Sequence, residues 1–252
     1  MIPFLGPADP FPPVEQALDN PDGLLAAGGS LSIRRLTEAY QRGIFPWFNE
    51  GDPILWWSPD PRTVLRPAAI HLSHSLRKKL KKDIFSVTID KAFARVLAGC
   101  AAPRDGDPGT WLSQPMRRAY EALHDAGLAH SIEVWMDGEL AGGIYGVAIG
   151  RMFFGESMFT RRTDASKIAM ARLAAQLERW QFPMIDCQLE TDHLVSLGAE
   201  PMPRRQFVAE VDRLVKEPPP VWVFDADLEG NPAHAPRTLR AAPGSRLPEP
   251  GL

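Results

Sequence analysis

Three polar residues stand among apolar neighbours, and each is a candidate for chemistry. In Met184-Ile185-Asp186-Cys187-Gln188, strand alternation puts Asp186 and Gln188 on one face and Ile185 and Cys187 on the other. An acid inside an apolar strand is costly unless it is hydrogen-bonded or functional. Glu156, within Phe153-Phe154-Gly155-Glu156-Ser157-Met158-Phe159, poses the same choice. A carboxylate flanked by aromatics is either satisfied by its neighbours or tuned for catalysis. A different signal runs from Arg77 to Lys82, where five of six residues are cationic and no acid follows until Asp83. A solvated helix face is the plain alternative. An unopposed run this dense also suits a phosphate backbone, gripped without reading sequence, and Arg77, Lys78, Lys81 and Lys82 are its candidates. Among seven tryptophans, Trp47 lies in a Pro/Gly-rich stretch and Trp111 follows Gly109-Thr110. Neither sits on an apolar stripe, and an aromatic on a loop can stack on a base.

What the chain lacks narrows the chemistry. It has no G-x-x-x-x-G-K-[ST] phosphate loop, no G-x-G-x-x-G, no H-E-x-x-H and no G-x-S-x-G. Cys100 and Cys187 have neither C-x-x-C spacing nor a nearby histidine pattern, which disfavours a zinc site or a disulfide framework and points to the reducing cytoplasm. Met1 to Pro13 lacks a basic leader and is broken by prolines, so no signal peptide is expected, and no apolar run is long enough for a membrane span. The net charge of −3 argues against a protein that coats nucleic acid, and leaves room for a local basic patch.

These residues must be positioned by a mixed α/β (α+β) chain. Residues 1–66, rich in Pro, Gly and Trp, read as a small N-terminal domain with one helix, Ser32 to Arg42, capped by Ser32 and stopped at Gly43. Residues 67–228 read as a larger domain, and 229–252, rich in Pro, Gly and Ala, as a disordered tail. In the larger domain, Leu72, Leu76 and Leu80 predict a helix over Ser73 to Lys82, and SVTID a strand over Ser86 to Asp90. A helix is predicted over Gln114 to Ala126. Strands over Ser131 to Met136 and Glu139 to Ile149 flank the hairpin turn Asp137-Gly138, and a third covers Met152 to Phe159. A helix capped by Asp164 reaches Arg179, followed by a strand over Met184 to Gln188 and a last helix over Arg204 to Val215.

This element order resembles the acetyltransferase-type (GNAT) fold. More specific resemblance lies in long blocks: Gly23-Leu24-Leu25-Ala26, Gly28-Gly29, Tyr40 to Phe48 (YQRGIFPWF), Ile54 to Arg62 (ILWWSPDPR) and Gly109-Thr110-Trp111. It continues through His130 to Trp135, Phe154 to Phe159, Asp164 to Lys167, Ile185 to Gln188, Ser196 to Ala199 and Pro203-Arg204-Arg205. In these blocks the chain resembles leucyl/phenylalanyl-tRNA–protein transferases from about Pro12 to Phe224. The resemblance implies a bacterial N-end rule enzyme, a monomer that moves Leu or Phe, and less readily Met, from aminoacyl-tRNA to proteins beginning with Arg or Lys. It further implies that Trp47 and Trp111 hold the terminal adenine, and that Tyr120, Met158, Leu173, Leu177 and Ile185 line the aminoacyl pocket. Leu173 and Leu177 stand where other members carry aromatics. Glu156, Asp186 and Gln188 are implied at the reaction centre.

An aminoacyl ester is already activated, so neither metal nor cofactor is expected. The enzyme has to exclude water, align the amine and help its proton leave. On this view Gln188 accepts a hydrogen bond from the attacking amine, Asp186 orients Gln188, and Glu156 binds a cationic group of either substrate. The rivals are a coenzyme-A-dependent acetyltransferase on the same fold, a non-catalytic tRNA-binding protein, and a cell-wall transferase using aminoacyl-tRNA. The first is disfavoured because Arg161-Arg162-Thr163-Asp164-Ala165 offers no glycine-rich pyrophosphate loop.

Overall fold

A computed structural model describes residues 2–82, 84–103 and 112–229. Trp111 and the expected tail beyond Glu229 lie outside the described residues. The first sheet takes four short strands, β1 (Phe4–Leu5), β2 (Leu24–Gly28), β3 (Phe45–Pro46) and β4 (Leu55–Trp57), in the order β1-β2-β4-β3. Its helix, α1 (Ile33–Gln41), begins where the Ser32 side chain accepts from Arg35 N, and ends before Gly43, whose φ of 70° reverses the chain. Leu36, Ala39 and Tyr40 are buried along one side of it.

The second sheet has seven strands, in the order β11-β5-β10-β9-β8-β7-β6. In chain order its elements are β5 (Arg62–Leu65), α2 (His74–Lys79), β6 (Ser86–Ile89), α3 (Phe93–Ala101) and α4 (Gln114–Asp125). Then come β7 (Ala129–Met136), β8 (Glu139–Ile149), β9 (Met152–Thr160), α5 (Ala165–Arg179), β10 (Ile185–Gln188), α6 (Asp192–Ser196), β11 (Glu200–Met202) and α7 (Arg204–Leu214). Every neighbouring pair is antiparallel except β9 and β10, which α5 joins as a crossover. The expected mixed α/β class is therefore what the chain adopts. At the β7–β8 turn both Asp137 (φ 53°) and Gly138 (φ 77°) are left-handed, as a tight hairpin with right-handed twist requires.

Two cores sandwich this sheet. One gathers Phe93, Tyr120, Tyr145, Phe154 and Phe207 with Tyr40 from α1 and Phe45 and Trp56 from the first sheet, so the small module seats on this side. The other gathers Ile132, Ile144, Phe153, Leu173, Leu177 and Ile185 beneath α5. Strand β9 serves both through a bulge: Tyr145 pairs with Ser157, but Gly146 pairs with Gly155, leaving Glu156 over. Gly146 is required there, because a Cβ would collide with the Phe154 carbonyl.

Several expectations are corrected. Arg62–Leu65, grouped with the first domain by a boundary at 66, pair with β10 and β11 in the second sheet. Helix α2 stops at Lys79 rather than Lys82. Lys81 and Lys82 close i−3 turns instead, since like charges crowd the last turn and Ile84, next on the leucine stripe, is exposed and does not anchor it. Asp164 precedes α5 but does not cap it. Its carboxylate pairs with Lys79 at 2.5 Å, while Ser166 N donates to Thr160 Oγ1. Helix α3 is not among the predicted elements, although Phe93, Val96, Leu97 and Cys100 recur at i, i+3, i+4 and i+7 and are buried. No helix among the described residues is long and apolar enough to cross a membrane.

Candidate active site

The site forms where β9 and β10 part. These parallel strands pair only at Ile185–Phe153 and Asp186–Phe154. Beyond that point the bulge on β9 presents Glu156, and β10 ends at Gln188. As alternation predicts, Ile185 and Cys187 pack against the α5 core while Asp186 and Gln188 turn to the other side.

Glu156 is the hub. Tyr40 Oη donates to its Oε1 (2.7 Å), Tyr120 Oη donates to its Oε2 (2.5 Å), and Gln188 Nε2 donates to Oε1 (3.1 Å). The two tyrosine oxygens lie 2.9 Å apart. Burial raises the Glu156 carboxyl to about 7, against the pull of the Tyr120 and Tyr40 hydrogen bonds, with the Asp186 charge adding to the rise and Arg62 opposing it. The proton count points the same way. Three oxygen–oxygen contacts link Tyr40, Tyr120 and Glu156, and two hydroxyl protons fill only two of them. With Glu156 protonated, one tyrosine turns its hydroxyl to the other and the carboxyl proton takes its place, so all three are filled. Burial and the Glu156 charge hold both tyrosines well above their ordinary values, so they remain neutral donors.

Asp186 is fully buried and engages Arg62 in a two-pronged pair: Arg62 Nε donates to Oδ1 (2.8 Å) and Nη2 to Oδ2 (2.6 Å). The same Oδ1 accepts from Gln188 N at 2.9 Å. Asp186 therefore touches Gln188 through the backbone, and the side-chain amide of Gln188 belongs to Glu156. Gln188 Oε1 has no hydrogen-bond partner among the described residues and is open to a donor. Sequence reasoning did not single out Tyr40 or Arg62. Tyr40 falls on the apolar stripe of α1 and reads as core, and Arg62 follows Asp60-Pro61 and reads as loop.

The other candidates are dispersed. Trp47 is 42% exposed, beside Trp57, whose Nε1 donates to the Trp47 carbonyl at 2.7 Å. An open indole held at its backbone suits stacking. Tyr120 belongs to the Glu156 hub, with Met158 farther along β9. Met158 lines an open cleft of about 520 Å3 with Gly99, Thr160, Arg161, Ser166 and His193. Leu173, Leu177 and Ile185 are instead completely buried in the α5 core. Leu177→Ala should accordingly lower unfolding free energy by about 2–5 kcal/mol in a urea titration. A variant as stable as the parent would place Leu177 on an accessible wall.

Arg77, Lys78, Lys81 and Lys82 are all exposed and have no carboxylate partner among the described residues. Lys79, the fifth cation, is taken up by Asp164. Replacing the four free cations with alanine should weaken tRNA binding and flatten its salt dependence, by up to about 0.9 in log–log slope for each phosphate no longer neutralised. An unchanged slope would leave the cluster as a solvated face. Among the described residues no group of three or more His, Cys, Asp or Glu side chains could hold a metal ion.

Comparison with known proteins identifies the family of the chain. A family profile described as leucyl/phenylalanyl-tRNA protein transferase matches residues 64–212, and one for the N-terminal domain of the same family matches 29–60. A leucyl/phenylalanyl-tRNA–protein transferase of Thiobacillus denitrificans is 60% identical over 218 residues, covering 86% of this chain and 96% of that protein. One of Nitrosospira multiformis is 57% identical over 227 residues, covering 89% and 98%. Among solved structures the chain is similar to a GCN5-related N-acetyltransferase from Kribbella flavida, at 12% identity and a TM-score of 0.33, over 63% of this chain and 56% of that one. The chain is thus an aminoacyltransferase, an enzyme that takes an amino acid from tRNA and hands it to a protein. It belongs to the leucyl/phenylalanyl-tRNA protein transferase family.

Proposed function

We propose that the chain transfers Leu or Phe, and less readily Met, from aminoacyl-tRNA to cytoplasmic proteins that begin with Arg or Lys, and that it works as a monomer. The observation that carries the chemistry is the Glu156–Gln188 pair at the parting of β9 and β10, one group titrating near neutrality and the other with an open acceptor. The acceptor's α-amine, with a pKa near about 7.7–8.0, is partly protonated at neutral pH. Glu156 as carboxylate attracts the ammonium form and takes its proton, and Gln188 Oε1 accepts from a remaining N–H, aiming the nitrogen lone pair at the ester carbonyl. A C–N bond forms, the bond to the ribose oxygen breaks, and that oxygen gains the proton the amine sheds. Alignment of this kind supplies about 7–11 kcal/mol in well-oriented systems.

In this scheme Trp47 and Trp111 stack on the terminal adenine, and Met158 places the aminoacyl side chain. Leu173, Leu177 and Ile185 back that pocket from the core. The free cations of α2 and the turn after it hold the tRNA backbone. The test is incubation with radiolabelled Leu-tRNA and a peptide beginning with Arg, beside the same peptide with its N-terminus acetylated. Label should move to the first peptide only. Release of free leucine without transfer, or label on both peptides, would sink the proposal, and so would transfer to a peptidoglycan precursor in place of the peptide.

A further inference from the structure

We propose that Arg62 is a positioning residue for the transfer: it fixes Gln188 through Asp186, and Phe45 and Phe207 hold it in the plane from which it does so. The inference rests on the reading that Gln188 acts on the attacking amine.

The geometry leaves Arg62 little freedom. Its side chain is 1% exposed. The guanidinium carbon lies 4.6 Å from the centre of the Phe45 ring and 4.7 Å from that of Phe207. Aromatic walls favour a planar, weakly hydrated cation, and the fork of N–H groups meets both Asp186 oxygens. A buried ion pair is weak evidence for stability as such, because desolvation offsets its attraction. What this pair does supply is direction. Asp186 Oδ1, pinned by Arg62 Nε, is the acceptor for Gln188 N. Gln188 has a φ of 63°, a left-handed conformation that non-glycine residues seldom adopt. That backbone bond holds it there, just past a break in the β10–β5 register, and from there its amide reaches Glu156. The line therefore runs from two phenyl rings to a guanidinium, a carboxylate, a backbone N–H and the amide at the reaction centre. Phe45 lies in the first sheet, two residues before Trp47, and Phe207 lies on α7. One side chain thus ties the seat of the small module to the aim of Gln188.

Lysine keeps the charge but not the fork, so Arg62→Lys is the test, alone and combined with Gln188→Ala. Single-turnover transfer by Arg62→Lys at saturating Leu-tRNA should slow about 100-fold, the scale of a small misplacement of a reacting group. The KM for Leu-tRNA should stay near that of the parent. The double variant should be no slower than Gln188→Ala, because residues acting as one unit do not contribute independently. A merely structural arginine would give slowing that multiplies with Gln188→Ala, and that result overturns the inference, as does a parent-like rate in Arg62→Lys. If Gln188→Ala itself transfers at the parent rate, the reading of the site and this inference fall together. If Gln188→Ala is slow and Arg62→Lys is not, only the inference falls. Should Arg62→Lys not fold, Phe207→Leu removes one wall and keeps the ion pair. It should slow transfer by a smaller factor, again without multiplying with Gln188→Ala, and a parent rate or a multiplied loss overturns the inference equally.

Discussion

Gln188→Ala should form the new peptide bond about 10²–10³-fold more slowly than the parent, the scale for losing one polar group aimed at a reacting centre. Its KM for aminoacyl-tRNA should hardly change, because the amide acts on the incoming amine and not on the tRNA. A group that works mainly in the transition state lowers kcat with little effect on KM. The variant also removes the donor at 3.1 Å from Glu156, so the carboxylate loses one hydrogen bond and holds its proton more tightly. The rate should therefore fall most steeply on the acid side of neutrality. Single-turnover transfer at several pH values measures both effects. A KM that rises in step with an unchanged kcat would move Gln188 from the chemistry to substrate binding.

Glu156→Gln should be impaired by about 10²–10⁴-fold, the usual weight of a positioned proton acceptor. In the parent, kcat/KM should climb with pH through about 7 as Glu156 ionises, and through the acceptor amine's own titration just above it. In the variant only the amine's inflection should remain. Stability carries an independent signature. The native carboxyl binds its proton more tightly than the unfolded one, so the native state holds more protons between the ordinary carboxylate value and about 7, and stability falls as pH rises across that window. The parent should thus lose thermal stability on going from pH 5 to pH 7.5. Glu156→Gln, neutral throughout, should lose less. A parent and variant with parallel melting curves across this range would remove Glu156 as a titrating group.

Much of the framework was legible from local pattern. The strand–turn–strand over residues 131–149 has a left-handed Asp-Gly pair that the sequence announces, and the caps of α1 and α2 are serines that accept from the residue three positions on. Strands of two or three residues, such as β1, β3 and β11, are too short to carry a period, so both edges of the first sheet and one edge of the second were not readable, while β6 at the other edge was. The site splits along the same line. Alternation over Ile185 to Gln188 gives the correct face for Asp186, yet nothing in that segment identifies its partner, 124 residues earlier in the chain. Arg62 becomes visible only when β5 is seen to lie beside β10. The consequence for mutagenesis is direct: Asp186→Asn removes a charge and also strands a buried guanidinium, typically a 3–5 kcal/mol loss, so its activity cannot be read without its stability. The buried positions of Leu173 and Leu177 were hidden for the opposite reason. Helical spacing says that a side chain faces inward, and both a pocket wall and a packed core face inward.

The bulge on β9 can be read as a change of parity. Up to Phe154, even-numbered residues of this strand face Tyr40 and the small module, and Phe153 faces α5. After Gly155 and Glu156 the rule inverts: Met158 faces α5 and Phe159 faces α3. A single extra residue thus lets one strand keep two numbering conventions, and the carboxylate sits at the place where they meet. Deleting Glu156 would close the ladder, with Gly155 and Ser157 adjacent opposite Gly146 and Tyr145, and regular alternation would keep Met158 and Phe159 in their present layers. The extra residue therefore serves the site rather than the layers, and its deletion should leave the sheet in place while removing the carboxylate that the hub is built around.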